Sequence, residues 1–260
     1  MPIYGCWGIL QEKWDEKRMM QDKLIKIGKY LHLYWQIFKY NLKIIFANKF
    51  IYFLLGAVVF FLMITIIDLL DPESYFDEGN VYSLLLFPGL LIIFYPSTFG
   101  IQNDVDSRTI EVLFGIPNYR YKIWLVRLLI IFIVVYVFMV FLGIFSTLAL
   151  IPIPVFEFSM QLMFPIFFLG SMGFMLSTVV RNGSGTAAIM VIIGLIFWIF
   201  EDILDENEWN IFLNPYIIPD FLNDAMWQEM LFYNRLYLVI GTILFILAGI
   251  YKLQNREKFI

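Results

Sequence analysis

The run IYFLLGAVVFFLMITIIDLL, residues 51–70, decides the class of this chain. Its one acidic or basic side chain, Asp68, stands near the far end. At ~1.5 Å of rise per residue, about 20 apolar residues cover the ~30 Å of a bilayer's hydrocarbon. Lys49 precedes the run and Asp71 follows it. Outward from it lie five more apolar runs, at 81–102, 123–151, 158–180, 183–200 and 235–253, of which 183–200 is the shortest. The whole chain is 61% hydrophobic and 15% charged. Soluble domains sit near half apolar and about a quarter charged, so the expectation is an all-α integral membrane protein with six transmembrane helices.

The Lys49/Asp71 asymmetry extends to the rest of the chain. Seventeen of the eighteen Lys and Arg residues fall on one side if the six runs alternate in direction; Arg235 is the exception. The other side carries acids, among them Asp71, Glu73, Asp77, Glu78, Glu157, Glu201, Asp202 and Asp205. Loops held in the cytoplasm carry excess Lys and Arg, so both termini are expected to be cytoplasmic. Residues 1–22 read as a polar tail, with Met19 and Met20 as alternative starts within it, and 23–260 as a single membrane domain. The first apolar run begins some fifty residues in, which argues against a cleavable signal peptide.

Several chemistries are disfavoured. One cysteine, Cys6, and one histidine, His32, allow neither an internal disulfide framework nor a His/Cys metal cage. No Gly-x-x-x-x-Gly-Lys-Ser/Thr phosphate loop is present. Gly183-Ser184-Gly185 has the look of a serine-protease motif, but its only possible base, His32, precedes the first span. The two glycines read better as a close helix approach or a turn. Midplane acids, which ion-coupled carriers use as counter-charges, are missing. The midplane offers Thr65, Thr98, Ser146, Thr147, Ser171 and Ser177 instead. No catalytic residue, metal site, cofactor on this chain or nucleic-acid partner is expected.

Residues 23–49 read as a two-faced helix before the first span. Lys26, Lys29, Gln36, Lys39 and Lys43 form a basic stripe; Ile27, Leu31, Tyr34, Trp35 and Phe38 form an apolar one. That pattern suits a helix lying in the headgroup plane, its lysines on anionic lipid. The alternative is a helix packed on the protein's own cytoplasmic surface.

The polar connection after the second run reads Asp104-Val-Asp106-Ser-Arg108-Thr109-Ile-Glu111-Val-Leu113, then Pro117 and, before the next span, Arg120, Lys122 and Arg127. Asp106 or Ser107 can cap a short helix, Glu111 suits its early, dipole-favoured part, and Gly115 with Pro117 ends it. In order and spacing this stretch resembles the membrane permeases of type-2 (ABC-2) ATP-binding cassette exporters. Their pattern here is acidic-x-acidic-x-Gly-Thr-apolar-Glu-x-Leu, then Pro, then a basic residue. Arg108 replaces the usual Gly, and Arg127 stands where Lys is usual. The resemblance covers most of residues 24–260. It implies that Asp104, Asp106, Arg108, Thr109, Glu111 and Pro117 belong to a cytoplasmic coupling helix that docks on a separate ATPase subunit. It further implies two ATPase copies holding the ATP and Mg, a second permease chain (the same or a relative), and a bacterial inner (plasma) membrane.

Residues 201–234 open with acids and turn apolar around Trp209, Pro215 and Pro219. The apolar part is too short to cross, so a re-entrant or interfacial segment on the outer side is expected. Trp209, Tyr216 and Trp227 are expected at the headgroup level. The functional expectation is the permease of an ATP-driven exporter, not itself an enzyme, for an amphiphilic or polymeric cargo. The alternative is a non-transporting membrane scaffold of an envelope complex.

Overall fold

In hydrocarbon, backbone amides must be satisfied within their own segment, so apolar runs of this length fold as helices. A computed structural model of the chain describes residues 49–71, 76–106, 120–200, 207–219 and 222–253, together with His32, Trp35, Gln36 and Lys39; at 106 and 120–122 it describes the backbone alone. The helices are α1 (Phe50–Leu70), α2 (Glu78–Asp106), a π-helix (Arg120–Leu125) continuing into α3 (Val126–Ala149), α4 (Val155–Val180), α5 (Gly183–Ile199) and α6 (Asp224–Lys252). There is no strand among the described residues. Among the described residues, five helices are long and apolar enough to cross a membrane. The sixth, α5, is apolar, but its 17 residues rise only ~25 Å.

The chain divides into two units, Met1–Ile44 and Ile45–Ile260. In the first, His32, Trp35, Gln36 and Lys39 are helical and exposed. Lys26, Lys29 and Lys43 lie outside the described residues.

In the second unit α4 is the hub, packing on α2, α3, α5 and α6, while α1 packs on α2. Close approach depends on small residues: a Cβ on Gly170 of α4 would lie 2.6 Å from Ile93 Cγ1 of α2. Such contacts are how helices associate where lipid is as apolar as the interface. The helix ends follow local capping. Asp77 Oδ1 accepts from Asn80 N at 2.7 Å and starts α2. Asn182 Oδ1 accepts from Gly185 N at 3.0 Å and starts α5. Arg181, in the left-handed region at φ 58, ends α4.

One boundary differs in a way that matters. An apolar search starts the last span at Arg235, because Asp224, Gln228, Glu229 and Asn234 interrupt the run before it. The helix begins at Asp224, where Asn223 Oδ1 caps Met226 N at 2.8 Å. Arg235 is therefore a buried residue inside a helix and not part of a loop. This explains why it alone breaks the charge rule, which counts loop residues.

The bundle keeps large apolar side chains on its outside: Tyr52, Val59, Met63 and Ile66 on α1, and Ile243, Leu244 and Leu247 on α6. A surface of this kind belongs in lipid or against another chain.

Candidate functional site

The two ends of the helices differ in charge, and each carries its own polar construction. The basic end holds Lys49, the end of α2 and start of α3, Arg181 and Lys252; the acidic end holds Asp71, Asp77, Glu157, residues 207–219 and Asn223.

At the basic end, Asp104 in the last turns of α2 meets Arg127 at the start of α3. Arg127 Nη1 donates to Asp104 Oδ2 at 2.5 Å, and both side chains are buried. Trp124, in the π-helix, lies under the guanidinium at 5.1 Å. A π-helix winds one residue wide and recurs at functional positions. Here it brings Trp124 and Arg127 together on one side of the element. The pair ties the last turns of α2 to the start of α3. Asp104 is thus held inside the fold and does not present a surface. Asp106 is the last residue of α2. Arg108, Thr109, Glu111 and Pro117 lie outside the described residues.

At the acidic end, residues 207–219 form consecutive turns built on asparagines. Asn207 Oδ1 accepts from Trp209 N at 3.2 Å, Asn210 Oδ1 from Phe212 N at 2.9 Å, and Asn214 Oδ1 from Tyr216 N at 3.1 Å. Asn favours such turns because its carbonyl mimics the backbone acceptor. The segment is latched from both sides. Asn214 Nδ2 donates to Gly79 O at 2.8 Å and to Ser83 Oγ at 3.2 Å on α2. From α6, Asn234 Nδ2 donates to Glu208 O and Asn210 O, each at 2.7 Å. Arg235 Nη2 reaches Leu213 O at 3.4 Å, Nη1 meets Asn234 Oδ1 at 2.9 Å, and Nε meets Gln161 Oε1 at 3.0 Å. Phe164 lies under that guanidinium at 5.2 Å. Arg235 forms no ion pair among the described residues.

Trp209 is exposed and meets Tyr237 edge-on at 4.8 Å. Tyr216 stacks on Phe158 at 4.7 Å. Its phenol is pushed well above the usual tyrosine value, first by burial and then by the nearby Glu157 and Glu78 carboxylates. Trp227, in the first turn of α6, is fully buried within the protein, where its Nε1 donates to Pro215 O at 3.3 Å.

Between the two ends lies a pocket of about 860 Å³. Leu86, Leu90, Ile93 and Ser97 of α2 form one wall, and Val191, Gly194 and Trp198 of α5 the other. Leu213, Asn214, Ile217, Pro219 and Trp227 close its acidic end. Its size is in the range of ligand-binding clefts, about 300–1,000 Å³. No charged side chain lines it. A small void of about 20 Å³ beside Trp124 and Arg127 shares the Ser97 wall. The deep end of the pocket and the ion pair are therefore near neighbours.

Of the six midplane hydroxyls, four bond within their own helices, whereas Thr65 Oγ1 and Ser146 Oγ are buried with no hydrogen-bond partner among the described residues. Thr98 bonds Phe94 O, Thr147 bonds Gly143 O, Ser171 bonds Phe168 O and Ser177 bonds Phe174 O, each back along its own helix. Such self-bonding satisfies those four hydroxyls inside an apolar helix. Gly183 is a close-approach position, as its motif suggested. Its N–H donates to Gln102 Oε1, and a Cβ there would lie 2.5 Å from Phe99 Cδ1. The pocket and the asparagine turns were missed at the sequence level. The spacing of Asn207, Asn210 and Asn214 was the available signal for the turns. Among the described residues no cluster of His, Cys, Asp and Glu fits a metal ion.

Comparison of the chain with protein-family models, curated proteins and solved structures returns no match.

Proposed function

We propose that this chain is the six-span permease subunit of an ATP-driven exporter, resembling the type-2 ATP-binding cassette class, with its basic end cytoplasmic. In this reading α5 is the sixth span, completed at its ends by local thinning of the bilayer. The connection 107–119 docks on a separate ATPase, with Arg108 and Glu111 as contact residues. A second permease chain completes the path, and the exposed apolar sides of α1 and α6 leave room for it.

One observation carries the reading. The acidic-x-acidic-x-Arg-Thr-x-Glu stretch occupies a polar connection whose base is tied by the buried Asp104–Arg127 pair. A docking element needs a stiff base, because a loop that flexes on its own passes no motion to the helices behind it. The scarcity of ionisable groups within the helices fits an energy source on another subunit.

The test is isolation of the full-length chain from its own membranes through a tag after Ile260. A stoichiometric nucleotide-hydrolysing subunit should accompany it, and Glu111→Lys should release that subunit while leaving insertion intact. Isolation without any ATPase, or with envelope-assembly proteins in its place, contradicts the permease reading and favours a scaffold.

A further inference from the structure

We propose that the 860 Å³ pocket holds one long hydrocarbon chain of a lipid, with the polar head left at the acidic end. Three observations point to that occupant.

The first is length. The α2 wall runs from Ser83 to Ser97, a rise of ~21 Å at ~1.5 Å per residue. That is about two-thirds of the ~30 Å hydrocarbon layer, which suits an extended chain and is far longer than a compact solute needs.

The second is polarity. The walls are aliphatic and aromatic, and two of the few polar side chains, Ser97 and Asn214, are occupied. Ser97 at the deep end donates to Phe94 O at 3.0 Å. Asn214 at the acidic end spends its amide on Gly79, Ser83 and Tyr216. A ligand needing hydrogen bonds within the pocket finds little beyond the Ser83 hydroxyl at its acidic end, whereas a hydrocarbon chain leaves nothing unsatisfied. With no charged side chain on the walls, the pocket distinguishes ligands by chain length and not by head.

The third is continuity with the surroundings. Phe87, Val191, Leu195, Trp198 and Ile217 line the pocket and are also exposed on the outside of the bundle. The pocket therefore opens sideways between α2 and α5, where the neighbouring medium of a membrane protein is lipid tails. A chain slides in from the bilayer without its head crossing the apolar layer. That a chain sits here does not depend on the permease reading; that it belongs to the exported molecule does.

Gly194 supplies a clean block. It lies on the pocket wall, and a Cβ there meets nothing within 4 Å. Gly194→Trp therefore fills the space without disturbing a packed neighbour, and replacing a mid-helix glycine favours the helix.

The experiment uses the full chain, purified without partners and reconstituted in phosphatidylcholine vesicles. The vesicles contain a phosphatidylcholine with a diazirine on one palmitoyl chain. After illumination, cross-linked residues are mapped by mass spectrometry. Labels should concentrate on 190–198 and 212–219 over the equally lipid-exposed α6. Gly194→Trp should lower the pocket labelling about tenfold, because two or more buried methylenes are excluded. Leu244→Trp, on the exposed side of α6, should leave it unchanged. An octanoyl version of the probe should label the pocket far less than the palmitoyl one.

Labelling that simply follows lipid exposure, or that ignores Gly194→Trp, overturns the proposal. So does a pocket that stays unlabelled while Leu195→Cys chains, in a Cys6→Ser background, cross-link to each other; that result gives the space to a second copy. No ATPase is present in this assay. Loss of the permease reading therefore leaves its outcome untouched, and a failure here leaves the ATPase isolation result standing.

Discussion

The two ends of the bundle each bury an arginine, and they satisfy it by different means. At the basic end Arg127 has a carboxylate, Asp104, at 2.5 Å. At the acidic end Arg235 has an amide oxygen, an asparagine oxygen and a backbone carbonyl. An ion pair concentrates its energy in one contact, so losing either partner strands a buried charge. The amide network spreads its energy over several neutral acceptors, so losing one member leaves the rest in place. On the proposed permease reading, a single strong tie suits an element that passes a force between α2 and α3. A distributed latch suits a segment, 207–219, that closes a pocket and is held against two helices at once.

The largest expected effect breaks the single tie. Asp104→Leu or Arg127→Met alone should cost about 3–5 kcal/mol, as expected when a buried charge loses its partner. The double variant should recover most of that loss, because no charge remains to strand. Thermal unfolding in detergent checks this. Single variants no worse than the double would show that the pair is solvated and mechanically idle.

Next comes Arg235→Met, which removes three donors and leaves only neutral acceptors behind. The expected cost is smaller, about 1–3 kcal/mol. It should appear first as faster hydrogen exchange across 207–219, with the rest of the bundle unchanged. A global loss matching that of Arg127→Met would erase the distinction between the two ends.

Asn214→Ala should cost about 1 kcal/mol for the bonds to Gly79 and Ser83, and should also speed exchange at 212–219. Equal exchange in the variant and the parent would mean that Ile217 packing alone holds this edge.

The smallest effect is a pH dependence at Tyr216. Its phenol in the folded chain is raised above the ordinary tyrosine value. When the latch opens, that value falls back to about 10. Tyr216 therefore contributes fully below about pH 10, and the contribution fades as pH rises toward the folded value. Tyr216→Phe should flatten this part of the stability profile relative to the parent. An unchanged profile would place the titration elsewhere.

How far these features could be read in advance depends on the medium. Helix count and approximate limits follow from apolar run length, and Gly183 was marked by its motif. Which side of each helix faces inward was not legible. In water an inward face is apolar and an outward face polar; in lipid both are apolar, so the helical period carries little contrast. The Asp104–Arg127 pair depends on how α2 and α3 are rotated against each other, a relation no local pattern records. The pocket is likewise a property of several stretches far apart in sequence. Arg235 misled for a definite reason: a charge next to an apolar run looks like the end of a span, and only the Asn223 cap shows that the helix began earlier. The asparagine turns were legible in principle, since Asn207, Asn210 and Asn214 are residues that favour such turns.

The central claim is that the Asp104–Arg127 tie transmits work done at the 107–119 connection to the pocket, next to which it lies through Ser97. The most direct measurement places Ile217→Cys in a Cys6→Ser chain and follows its thiol reactivity in native membranes with and without ATP. The account predicts that ATP changes the reactivity in this chain. The change should disappear in the stably folded Asp104→Leu/Arg127→Met double variant, even though nucleotide hydrolysis continues. An undiminished ATP response in the double variant, or no response in either chain, would contradict it.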